Sequence, residues 1–259
     1  MLSKNQAKFI QSLHHKKFRL ESGYFIAEGE KVVEELLESS YNVESIFATK
    51  EWFDKNAAGL TKLQKRNTAL KRIEVTFDEL KTISALTTPN QALAVAKIPV
   101  QVLDEANLMG RFSLVLDEVK VPGNLGTLIR IADWFGIQHI ICSSSSVEVY
   151  NPKVVQSTMG SLFRVQVYYV DLPEFLNKIK TKLPIIGAVL DGDSLYKTSL
   201  PKAGLILLGN ESKGISKELL PLVSQKILIP KFPESHAESL NVAVAAGIIC
   251  SETLRVRLK

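Results

Sequence analysis

Three short stretches hold the polar side chains best placed to do chemistry. Gly209-Asn210-Glu211-Ser212-Lys213-Gly214 follows the apolar segment Leu205–Leu208. Pro122-Gly123-Asn124-Leu125-Gly126-Thr127 comes soon after Phe112–Leu116. A polar loop after Ile227–Ile229 and Pro230 runs to Ser239-Leu240-Asn241 and enters an apolar helix. Each apolar segment reads as a strand, and open α/β sheets place ligands at the carboxyl ends of their strands. The missing patterns narrow what these loops could hold. A dinucleotide fold needs G-x-G-x-x-G after its first strand, and Gly123-Asn124-Leu125-Gly126-Thr127 lacks that spacing. No glycine loop is followed by a phosphate-binding lysine of the Walker type. No group of His, Cys, Asp and Glu has metal-ligand spacing, so no metal is expected. His14, His15, His139 and His236 read as structural or solvated. Cys142 and Cys250 form neither a metal-like nor a redox pair, which fits a reducing, intracellular compartment.

Those loops need elements to position them. From Phe112 the chain alternates short apolar runs with helical stretches. The runs are Phe112–Leu116, His139–Cys142, Val165–Tyr169, Ile185–Val189, Leu205–Leu208 and Ile227–Ile229. Runs of this kind predict about six buried strands in a mainly parallel sheet. Helices are expected from the Pro122 turn to Phe135 and over Asn151–Met159. Before Pro99 lies a smaller alternating unit, with a short strand ending in a turn over Gly23–Gly29 and strands at Val43–Thr49, Arg72–Val75 and Ala92–Ile98. Helices are expected there at Glu30–Ser39 and Glu51–Lys55, and from Asp78. The predicted organisation is a domain over 1–98, a linker over 99–110 and a larger α/β domain over 111–259.

The 259 residues carry a formal charge of +5 and a pI near 9.0, a modest excess that favours an anionic partner such as nucleic acid. Residues 1–20 concentrate it: Lys4, Lys8, Lys16, Lys17 and Arg19 stand without an acid among Phe9, Leu13 and Phe18. Two readings stay open, a solvated helix face with an apolar stripe or a surface that lies along phosphates, with Lys16, Lys17 and Arg19 as RNA contacts. No apolar run is long enough to cross a bilayer and no signal peptide is visible, so a cytoplasmic location is expected.

The loops, taken in order, resemble the three motifs of the SpoU (TrmH-type) RNA ribose 2'-O-methyltransferases of the SPOUT superfamily. The likeness lies in Pro122-Gly123-Asn124-Leu125-Gly126-Thr127-Leu128-Ile129-Arg130, in Leu208-Gly209-Asn210-Glu211-Ser212-Lys213-Gly214, and in Ile229-Pro230 with Ser239-Leu240-Asn241-Val242-Ala243. Ser157-Thr158-Met159-Gly160-Ser161-Leu162-Phe163-Arg164 resembles a fourth family segment. The run Phe25 to Glu34 is similar to the ribosomal-protein-like RNA-binding domain fused to many members.

The resemblance implies an α/β fold whose parallel sheet ends in a deep trefoil knot, which general topology rules would exclude. It implies S-adenosylmethionine as cofactor, held largely through backbone groups near Leu208, Gly209, Ile229, Ser239, Leu240 and Asn241. The implied reaction is methylation of a ribose 2'-hydroxyl in structured RNA, ribosomal RNA ahead of transfer RNA. A binding protein that kept the fold and lost turnover is the alternative. Arg130 is the implied catalytic residue, although a free guanidinium is a poor base. It either loses its proton or holds the 3'-phosphate while another group accepts the proton. Asn124 is expected to bind ribose or phosphate and fix Arg130, and Glu211 to pair with Arg130 or Asn124. The family also implies a homodimer. The chain departs from the family at Lys120, Val121 and Ala243, and in the long polar loop Lys231–Glu238.

Overall fold

A computed structural model describes residues 2–86 and 88–258. The chain divides into two compact units, Met1–Val100 with Glu148–Arg164, and Gln101–Val147 with Val165–Lys259. Residues 148–164, expected in the second domain, thus group with the first unit.

The first unit is built on strands β1 (Tyr24–Glu28), β2 (Val43–Ala48), β3 (Lys71–Glu74) and β4 (Ala92–Lys97), in the order β1-β4-β2-β3. β4 runs antiparallel to both neighbours, and β2 and β3 are parallel. Helices α1 (Lys4–Ser12), α2 (Lys16–Ser22), α3 (Glu30–Glu38), α4 (Lys50–Lys55), α5 (Ala57–Arg66), α6 (Phe77–Ile83) and α8 (Pro152–Ser157) complete it. The basic amino-terminal segment is two helices. Ser3 and Gln6 form a capping box that starts α1. Gly23 ends α2 with φ 73°, a left-handed turn that costs glycine little. Between them the chain turns at Leu13, which is fully buried.

That turn corrects one expectation. Arg19 does not lie along the surface with Lys16 and Lys17. It is 1% exposed, its Nη1 donates to the Leu13 carbonyl at 2.8 Å, and its Nε donates to a Glu148 carboxylate oxygen at 3.0 Å. Nη2 pairs with the same oxygen. A buried guanidinium without such partners would be very costly, and this one is pinned by them. Lys16 and Lys17 stay exposed.

In the second unit, strands β5 (Phe112–Leu116), β6 (His139–Ser143), β7 (Gln166–Val170), β8 (Ile185–Ser194), β9 (Gly204–Leu208) and β10 (Gln225–Leu228) form one sheet, ordered β10-β8-β9-β5-β6-β7. Every pairing is parallel. β5, β6 and β9 are buried along their whole length, which explains their near-continuous apolar sequences. α7 (Pro122–Trp134), α9 (Leu172–Ile179) and α10 (Val242–Arg257) complete the unit. Leu172, Phe175, Leu176 and Ile179 bury one stripe of α9 in the core. α10 packs against α7, with Ala243 and Ala246 buried. Among the described residues, no helix is long and apolar enough to cross a membrane.

Candidate active site

Because the six strands are parallel, the carboxyl ends of β5, β6, β9 and β10 open on one edge of the sheet. The loops after β5, β9 and β10 leave from that edge. Val121, at the amino-terminal cap of α7, contributes no side-chain capping bond. The carboxylate of Glu211, from the loop after β9, fills that role. It accepts the Val121 N–H at 3.3 Å, the Lys120 N–H at 3.5 Å and the Asn124 amide at 2.9 Å. The unpaired N–H groups and positive dipole of a helix start favour an anion there. Burial pushes the Glu211 carboxyl up, but the hydrogen bonds from Asn124 and the backbone outweigh it. The net displacement is below the usual carboxylate value, so Glu211 is ionised at neutral pH.

Asn124 extends the chain of bonds. Its Oδ1 accepts from Asn241 Nδ2 at 2.9 Å, while Asn241 Oδ1 caps α10 by accepting the Ala243 N–H at 2.9 Å. The three motif loops therefore meet in the order Glu211, Asn124, Asn241. Of the two partners expected for Glu211, Asn124 takes the bond. Arg130 is exposed and makes no hydrogen bond or ion pair among the described residues. Six residues beyond Asn124 on α7, it lies about 120° around the helix and about 9 Å along it. Its guanidinium is left open to an outside anion.

Leu208 is buried at the end of β9, and the turn after it closes through reciprocal bonds between Asn210 and Gly214, at 3.0 and 2.9 Å. A Cβ on Gly209 would stand 2.0 Å from the Gly214 carbonyl carbon, so only glycine allows this turn. Ile229 follows β10 on the same edge. Ser239 is exposed, and Leu240 is 49% exposed. Neither is bonded to the Glu211–Asn124–Asn241 chain.

Three residues that sequence reasoning passed over hold the loops together. Asn210 Nδ2 donates to the Glu118 carbonyl at 2.8 Å, and its Oδ1 accepts the Ser212 and Lys213 N–H groups. Asp117, 4% exposed, accepts the Ser216 N–H at 2.7 Å. Glu118 takes φ 53°, rare for a side-chain-bearing residue, and donates its N–H to Ser143 Oγ at 2.9 Å. The acid pair Asp117-Glu118 directly after a strand was the available signal. Beside the chain of bonds, a surface hollow of about 570 Å³ runs between α7 and α10. It is lined by Asn124, Thr127, Ile131, Asn241, Val244 and Gly247, among others.

Residues 111–251 match the SpoU rRNA Methylase family. The chain belongs to that family. Residues 4–94 match the MRM3-like substrate binding domain. The chain is 31% identical over 252 residues to the 23S rRNA (guanosine(2553)-2'-O)-methyltransferase RlmP of Bacillus subtilis, covering 95% of each. A solved TrmH-family protein from Porphyromonas gingivalis superposes with a TM-score of 0.87 at 36% identity, over 98% of this chain and 99% of that one. An AdoMet-bound rRNA methyltransferase from Sinorhizobium meliloti superposes with a TM-score of 0.85 at 25% identity, over 98% and 96%. In this chain the bonds from Glu211 through Asn124 to Asn241 join the three motif loops. Cys142 and Cys250 are free and buried, and burial pushes the Cys250 thiol up to about 12, so neither is a nucleophile at neutral pH.

Proposed function

We propose that this chain methylates a ribose 2'-hydroxyl of ribosomal RNA, using S-adenosylmethionine, in the cytoplasm. The observation that carries the reading is the chain of bonds from Glu211 through Asn124 to Asn241, which ties three sequence-distant loops into one site. The residues suit the cofactor in kind. Ile229 and Leu240 supply apolar surface for a nucleoside, and buried Leu208 sets the strand end beneath it. The tight backbone at Gly209 leaves main-chain groups, not side chains, to approach it. Glu211 adds a negative charge compatible with a sulfonium. When bound, S-adenosylmethionine supplies a methyl group already activated on positively charged sulfur.

The protein's own task is to place the ribose hydroxyl in line, exclude water and help remove the hydroxyl proton. Arg130 holds the RNA phosphate next to the reacting sugar and orients the 2'-oxygen. Asn124, fixed from both sides by Glu211 and Asn241, binds the ribose. Ser239 completes the cleft beside the cofactor. The first unit serves as the substrate RNA-binding domain and the second as the catalytic one, whose carboxyl-terminal segment passes through a loop as a deep trefoil knot. A second copy of the chain covers the hollow between α7 and α10, which Ile131 and Val244 help to line and where Val244 is 52% exposed.

The test is Arg130→Ala. Methyl transfer to ribosomal RNA should fall by roughly a hundredfold or more, in line with removal of a transition-state contact. Calorimetric affinity for S-adenosylmethionine should stay within about twofold of the parent, a surface change away from the cofactor being nearly neutral. Lost cofactor binding in this variant, or unchanged transfer, would refute the role.

A further inference from the structure

The first unit contains a hollow of about 180 Å³ that the methyl-transfer chemistry does not use, lined by residues of α1, β2, β3 and β4. Its floor is apolar: Ile10, Phe47 and Val95 are each 2% exposed or less. Phe9 forms one wall and is 40% exposed. Its ring meets Tyr24 edge to face at 5.9 Å, and Lys97 Nζ lies 6.0 Å from the centre of the Tyr24 ring.

The polar lining has unused bonding capacity. Ser45 is 7% exposed, yet its hydroxyl has no hydrogen-bond partner among the described residues. Gln6 spends its Oε1 on the Ser3 N–H at 2.9 Å, and its Nε2 donates to nothing among the described residues. Lys71 Nζ holds the Glu44 carboxylate at 2.7 Å, with both side chains partly exposed. A break in strand register explains why the neighbours Glu44 and Ser45 both line the hollow. Val43 pairs with Ala96 while Ser45 pairs with Val95, leaving Glu44 as an extra residue. Such bulges re-aim side chains and are frequent beside binding sites.

We propose that this hollow receives one unstacked nucleobase of the RNA substrate, an inference that rests on the reading of the chain as an RNA methyltransferase. Single-stranded RNA is read by stacking bases on aromatic rings and bonding their edges, the combination Phe9, Ser45 and Gln6 offer. The base stacks on Phe9 with its edge toward the Ser45 hydroxyl and the Gln6 amide. Lys71, which lines the hollow, and Lys97, beside the Tyr24 ring that meets Phe9, contact the flanking phosphates. The volume suits one planar ring system and is well below that of a drug-sized ligand site.

The experiment uses the full chain and short single-stranded RNA homopolymers of each base. Zero-length ultraviolet crosslinking, mapped by mass spectrometry, should place adducts on Phe9 or Tyr24. Phe9→Ala and the hollow-filling Ser45→Leu should each weaken RNA affinity by about tenfold, the loss typical of one stacked base. Because Ser45→Leu could fail to fold, circular dichroism is run on both, and exposed Phe9 gives the decisive result. Lys97→Ala should lower the slope of log affinity against log salt by about one. Crosslinks elsewhere together with parental affinity in Phe9→Ala would overturn the proposal and assign the hollow to another partner. Affinity for S-adenosylmethionine, measured in the same variants, separates the two readings. Methyl transfer with unchanged KM in Phe9→Ala would sink the hollow and leave the enzyme. Binding at Phe9 without any methyl transfer would do the reverse.

Discussion

The two units treat their polar groups in opposite ways. At the edge of the parallel sheet, Glu211, Asn124, Asn241, Asn210 and Asp117 bond to one another or to backbone before any ligand arrives. In the hollow of the first unit, Ser45 and Gln6 Nε2 have no partner among the described residues. The first arrangement is preorganised: the geometry is fixed in advance, so little reorganisation remains for the reaction. The second leaves bonding capacity for a ligand to complete, which suits recognition better than chemistry. Arg130 stands apart from both, an exposed cation on the catalytic unit with no protein partner among the described residues.

The first unit also contains its own preorganised contact, and that contact sets the largest expected effect. Arg19→Ala leaves Glu148 without its buried guanidinium partner, and loss of one member of such a pair costs about 3–5 kcal/mol. Equilibrium denaturation should register that loss. A change below about 1 kcal/mol would show the pair to be incidental and return Arg19 to the surface reading.

Glu211→Ala removes three bonds at the start of α7. The carboxylate is only partly buried, so stability should fall by about 1 kcal/mol in the same measurement. Methyl transfer should fall far more than stability does, because Asn124 loses its anchor. Parallel losses of the two would place Glu211 outside the chemistry.

Acid offers a gentler way to break the same bonds. The Glu211 carboxyl lies below its unfolded value. A depressed carboxyl contributes stability that is present above its unfolded value and lost as pH falls through the folded one. Glu211→Gln should therefore lower stability by a constant amount at neutral and alkaline pH, and flatten its fall with pH below about 4.5. An unchanged acid limb would mean the carboxylate gains nothing from its neighbours.

Lys16→Ala and Lys17→Ala should be the mildest. Both are exposed, and Lys17 has only a weak pairing with Glu21 at 3.9 Å. Stability should move by less than about 0.5 kcal/mol, while the slope of log RNA affinity against log salt drops by about one for each phosphate no longer neutralised. No change in that slope would leave these lysines as a solvated face.

Much of the catalytic unit was legible because buried parallel strands are written as unbroken apolar runs. β5 and β9 fall within a residue of where Phe112–Leu116 and Leu205–Leu208 predict them. Longer elements were read short: β8 continues to Ser194 along residues that are mostly exposed and polar. α9 was missed even though Leu172, Phe175, Leu176 and Ile179 have helical spacing, with Pro173 and Glu174 at its start. α5 was missed because its buried side is only Leu60 and Leu63 on an otherwise polar stretch. Arg19 shows the harder limit. In the sequence it is one of five cations, and only the turn at Leu13 and the arrival of Glu148 separate it from Lys16 and Lys17. The hollow was equally hidden, since it depends on a register break between β2 and β4 that residue types do not announce. The partner choice of Glu211 was open for the same reason, being decided by where α7 begins in space.

The most direct test is chemical. The purified chain is incubated with unmodified ribosomal RNA and S-adenosylmethionine labelled in its methyl group, and the RNA is digested to nucleosides. The expected result is label in a single 2'-O-methylnucleoside, lost in Asn124→Ala. Label on a base, or no label from a chain that binds both RNA and cofactor, would contradict it.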